Sequence, residues 1–131
     1  MEITVHPNSI LGKSRSDLAY WQQELPRLRA LLQQRQAELS RISGLQPNIS
    51  MSAQDIANLT SLKIAAQVAV DMVRAAVGNA EFNFSNQLSG TASQETQVRN
   101  LVADIEHRKK QGVSFAYENQ LLGGLIGEKQ P

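Results

Sequence analysis

Residues 14–43 read SRSDLAYWQQELPRLRALLQQRQAELSRIS. Within them Leu18, Trp21, Leu25, Leu28, Leu32, Leu39 and Ile42 fall in alternating steps of three and four, with Arg35 on the one polar beat. A 3.5-residue repeat keeps one apolar seam turned toward a neighbour over several heptads, so the stretch reads as a coiled-coil-like helix. Ser14, Ser16 and Asp17 offer N-caps, and Gly44 follows the last apolar position, where a left-handed residue ends a helix. Pro26 interrupts the pattern off the seam. It strips the Gln22 carbonyl of its donor and predicts a kink or break costing ~3 kcal/mol. Arg35 on the seam either fixes register and partner choice or snorkels outward past its neighbours.

Upstream, residues 1–13 read as an extended arm, because Ile3 and Val5 alternate with polar residues before the turn chemistry of Pro7-Asn8-Ser9. Downstream, Leu45–Met51 forms a linker around Pro47-Asn48, and Ser52 to Asp55 resembles a capping box opening a second helix over about 52–88. From Ile64 to Val77 this helix is apolar except for Gln67, Asp71 and Arg74, which with Lys63 form one narrow stripe. So little polar face predicts burial over most of its circumference, and its many alanines predict close approach of other helices. Phe82 and Phe84 alternate with polar residues, and helix is favoured over strand for 82–88 because no other sheet element exists to pair with. Ser89-Gly90 marks a break.

Thr91 to Gln94 reads as a second capping box, opening a third helix over about 92–111 with Val98, Leu101, Val102 and Ile105 on its apolar face. His107-Arg-Lys-Lys110 before Gly112 suits a helix C-terminus. A shorter helix is expected over 114–122 with Phe115, Leu121 and Leu122 inward, followed by a flexible apolar tail over 123–131. The fold class is therefore all-α: one domain over 14–122, a helical hairpin or three-helix bundle with coiled-coil-like packing, carrying an arm and a tail.

Composition narrows the chemistry. The 131 residues hold no Cys and two His, with 5% aromatic and 19% charged residues and a net charge of +1. Thiolate metal sites, cysteine nucleophiles and disulfides are excluded. Asp104 and His107 share a helix face, but no third ligand accompanies them. Gly123-Gly124-x-x-Gly127 lacks the lysine and following helix of a phosphate loop. No catalytic, cofactor or metal residues are assigned, and a non-enzymatic protein is expected. Residues 1–43 carry six positive and four negative charges and residues 93–131 five of each, a balance that disfavours nucleic acid. Leu59 to Val77 contains Lys63, Asp71 and Arg74, so no membrane span is expected. The N-terminus has no signal-peptide pattern, which points to the cytoplasm where the chain is made.

What remains is protein partnership. The seam of Leu18, Trp21, Leu25, Leu28, Leu32, Arg35, Leu39 and Ile42, with Ile3 and Val5 of the arm and Leu125 and Ile126 of the tail, are the expected interaction residues. The composition, with 14 Gln, 12 Ser and 8 Asn, resembles that of small structural subunits of phage particles and secretion machines. The resemblance implies a structural or assembly subunit that pairs with itself or docks on a larger complex. A small helical regulator, binding a protein or nucleic-acid machine as a monomer, is the alternative.

Overall fold

A computed structural model describes all of residues 1–131. The protein is all-α: α1 spans Ile10–Ser43, α2 Ala53–Gln111 and α3 Ala116–Ile126. Expected helices two and three are one helix of 59 residues. Ser89-Gly90 is no break. Gly90 is exposed with nothing within 4 Å of where a side chain would begin, so the helix crosses it at no steric cost. The segment 82–88 is helical, not strand.

The inward positions of α2 step by three and four without interruption from Leu59 to Arg108: Leu59, Lys63, Ala66, Val70, Val73, Val77, Ala80, Phe84, Gln87, Thr91, Gln94, Val98, Leu101, Ile105 and Arg108 are all buried or half-buried. α1 repeats the pattern from Leu11 to Ile42, and both helices meet along coiled-coil-like seams. α1 begins earlier than its candidate caps predict. Ser9 caps it, its hydroxyl accepting from the Gly12 N–H at 3.0 Å and donating to the His6 carbonyl at 2.6 Å. Ser14 is instead a buried seam residue. The capping box of α2 forms reciprocally: the Asp55 N–H donates to Ser52 Oγ at 3.1 Å and the Ser52 N–H to Asp55 Oδ2 at 3.4 Å.

The chain divides into two compact units. Unit 1 holds residues 1–22 and 83–131, with its core at Leu11, Val98, Ile105, Leu122 and Ile126. α3 reaches Ile126, four residues beyond its expected end, because Leu122 and Ile126 are fully buried and reward the extra turn. Gly127, at φ +78°, closes it. Unit 2, residues 23–82, is a hairpin of the second part of α1 and the first part of α2 joined by the loop 44–52. Its buried residues are Leu25, Ile42, Val70, Val77 and Ala80. α1 runs through Pro26, which is exposed, so the helix survives the lost donor without a break.

Candidate interaction surfaces

The expected seam of α1 lies inside the chain. Leu25 and Ile42 are buried; Leu18, Trp21, Leu28, Leu32 and Leu39 are half-buried; Arg35 alone is exposed. Arg35 thus turns outward, and the apolar positions are satisfied by the chain's own second helix. The seam contributes to the packing of the fold.

The arm and tail also close on their own unit. Ile3, Val5 and Leu125 pack against the cluster containing Ile126. The His6 N–H donates to the Ile126 carbonyl at 2.9 Å, and the first helical turn of α1 supports the arm. A Cβ at Gly12 would lie 2.0 Å from the His6 carbonyl oxygen, so only glycine admits the arm there. The tail, expected to be flexible, is pinned by two bonds: Asn119 Nδ2 donates to the Gln130 carbonyl and the Gln130 N–H to Asn119 Oδ1, each at 2.7 Å. Helix extension to Ile126 leaves too short a tail to wander.

Thr91, read as a cap, instead sits mid-helix in a polar layer. Its hydroxyl lies 2.7 Å from that of Ser14, and Gln87 Nε2 donates to Ser14 Oγ at 2.9 Å. One layer on, Gln94 Oε1 is buried without a partner. Arg15 grips Glu95 from the rim through two bonds of 2.5 and 2.9 Å, which raises the guanidinium pKa and lowers that of the carboxyl. At the far end of unit 1, Arg108 Nε stands 3.3 Å from the buried Glu118, close enough for an ion pair but not aligned as a hydrogen bond. No group of three or more His, Asp or Glu side chains is placed to hold a metal ion.

Two apolar surfaces remain open. In unit 1 a groove of about 740 Å³ is lined by the apolar Ile10, Leu101, Leu121 and Leu125 with Gly124 and Tyr117, and by the amide side chains of Gln97, Asn100 and Gln120. In unit 2 the outer side of α2 carries Ile64, Val68, Met72 and Phe82, exposed at 60, 48, 69 and 67%. The expectation of burial over most of α2's circumference fails here, because one neighbouring helix covers one stripe only. α2 is long and apolar enough by length and composition to cross a membrane, and only 6% of that window is buried within the molecule. Each outer residue lies two positions from an inner one (Val68 from Ala66, Met72 from Val70, Phe82 from Ala80), about 200° around the helix. α2 is therefore apolar on opposite sides. Sequence reading saw the apolar run but could not separate the two faces, because alanines bridge them.

Compared with known proteins, the chain matches no family model, no curated protein and no solved structure.

Proposed function

We propose that this chain is a non-enzymatic structural or assembly subunit that binds other protein chains through apolar helix surface left open on folding. The observation that carries the reading is the outer face of α2, where Ile64, Val68, Met72 and Phe82 stand exposed in line. Single exposed apolar residues are ordinary, but a contiguous stripe on the order of a few hundred Å² marks an interaction site. A protein partner suits it better than a bilayer. In the same unit α1 presents exposed Arg27, Arg29, Arg35, Glu38 and Arg41, and α2 itself presents Asp71 and Arg74. Charges within a hydrocarbon core cost roughly 2.5–3.5 kcal/mol each on insertion scales.

Sedimentation equilibrium of the full chain over a wide concentration range tests the reading. The expected result is a mass rising above 14.4 kDa, with Met72→Asp remaining helical but monomeric. A chain that stays monomeric at every concentration, and whose Met72 is no less accessible to oxidation when its partners are present, would overturn it.

A further inference from the structure

We infer that the outer face of α2 in unit 2 is self-complementary, and that a second copy of this chain packs on it antiparallel, about a two-fold axis passing between Val73 and Arg74. The inference rests on the assembly reading above and names the occupant of that face.

Ala65, Val68, Met72, Ala75, Asn79 and Phe82 follow steps of three and four along the outer side of α2, the spacing of a coiled-coil seam. They are offset by two residues from the inner seam, so a helix docked there meets no part of the hairpin's own packing. Large and small residues alternate unevenly along the stripe, and that unevenness selects an orientation. With the axis between Val73 and Arg74, Phe82 of each copy faces the partner's small Ala65 position, Met72 faces the position of Ala75, and Val68 that of Asn79. Phe82 and Met72 then fill space over alanines, as interdigitated packing requires, while Val68 meets the Asn79 amide. A parallel pair would stack phenylalanine on phenylalanine and leave alanine over alanine.

Charge gives the same orientation independently. Asp71 and Arg74 lie on one flank of the stripe, 58 and 59% exposed, and hold each other at only 3.9 Å. The proposed axis runs beside them. Each Asp71 then comes within about 3 Å, measured along the helix axis, of the partner's Arg74 position, at a rise of 1.5 Å per residue. Along the axis the flank then reads Asp71, Arg74, Arg74, Asp71, the two arginines about 1.5 Å apart in rise and each next to a carboxylate of the other copy. A parallel two-fold would turn this flank toward the partner's opposite flank, at Ala69 and Ala76, where no ion pair can form. The other flank, at Ala69 and Ala76, carries no charge and admits close approach.

Single-cysteine variants read the orientation directly, since the chain has no cysteine of its own. Ala65→Cys and Phe82→Cys mixed together are expected to form the 65–82 disulfide under mild oxidation, while neither alone cross-links to itself. Asp71→Arg and Arg74→Asp should each weaken dimerisation at least tenfold in sedimentation, and an equimolar mixture should recover it as a heterodimer. All four positions are on the helix exterior, so circular dichroism should show parental helicity in each variant. Self-cross-linking of Phe82→Cys alone, or dimerisation indifferent to both charge reversals, overturns the antiparallel pair while leaving assembly through this face intact. A chain that never dimerises overturns it too, as does flotation with phosphatidylcholine vesicles that is lost in Met72→Asp. The vesicle result would assign the face to a membrane and fell the assembly reading with it.

Discussion

The hydroxyls of Ser14 and Thr91, 77 positions apart in sequence, meet at 2.7 Å inside the seam between α1 and α2. Both residues are under 8% exposed, so neither has water as an alternative partner. Gln87 closes the layer by donating to Ser14 Oγ and to the Ser14 carbonyl, at 2.9 and 3.1 Å. A satisfied polar layer among leucine and valine layers adds little net stability, but it penalises every other register, in which these groups would be buried unpaired.

Thr91→Val is isosteric, and it leaves the Ser14 hydroxyl and Gln87 amide short of a partner. Its expected cost is about 1–2 kcal/mol, read from the urea midpoint. Ser14→Ala should cost a similar amount. The double variant should cost less than the two singles together, because no stranded hydroxyl remains. Strict additivity would show that the layer is not coupled.

Glycines give a test with opposite signs. Gly78 and Gly90 are interior to α2, exposed, and have nothing within 4 Å of a prospective Cβ. Gly78→Ala and Gly90→Ala should each raise stability by about 0.5–1 kcal/mol, visible as a higher Tm. Gly12→Ala should do the reverse. Its Cβ would sit 2.0 Å from the His6 carbonyl, so the arm must lift off. The expected signature is fast amide exchange at His6, whose N–H otherwise donates to Ile126.

Pro26 is exposed within α1 and contributes no seam contact. Pro26→Ala restores the N–H that the Gln22 carbonyl lacks and removes the ring clash. Stability should rise by up to ~3 kcal/mol in thermal or urea unfolding. No gain would mean that the flanking helix has already adapted its backbone to the ring.

Most of α1 was legible because its seam is apolar at nearly every beat; Leu25 and Ile42 are buried where the spacing put them. α2 was legible only in pieces. At Lys63, Gln87, Thr91 and Gln94 its inward positions are polar, so the apolar period lapses just where the helix continues. Thr91 and Gln94 even carry the spacing of a capping box. Capping chemistry and a buried polar layer call for the same residue types, and only the helix opposite, through Ser14, decides between them. The period itself was the missed signal, since steps of three and four continue if polarity is ignored. The candidate sites fared differently. The α1 seam packs within the chain, against α2. The outer face of α2 could be told from the inner one only once the hairpin had covered one side.

Acid should loosen one tie of unit 1. Two bonds from Arg15 hold the Glu95 carboxyl below the ordinary carboxylate value, outweighing the opposing effect of partial burial. Above the unfolded-state pKa, about 4.3, both states are ionised and the full benefit of the pair is present. As pH falls below that value the unfolded chain takes up a proton first, so stability drops with pH until the folded carboxyl is also protonated. The side chains are 47 and 35% exposed, which limits the effect to under ~1 kcal/mol and makes it sensitive to salt. Glu95→Gln should therefore lower unfolding free energy at neutral pH by that small amount, with the difference from the parent vanishing through the acid limb. Glu38→Gln is the informative control. Glu38 is also held low, by Arg41 three residues away on the same helix. A pair within one helix does not bridge elements, so its loss should leave the tie between α1 and α2 unchanged. The tie itself is read from a double-mutant cycle of Glu95→Gln with Arg15→Gln, in which a coupling energy of zero would show that Arg15 and Glu95 do not join α1 to α2 in solution.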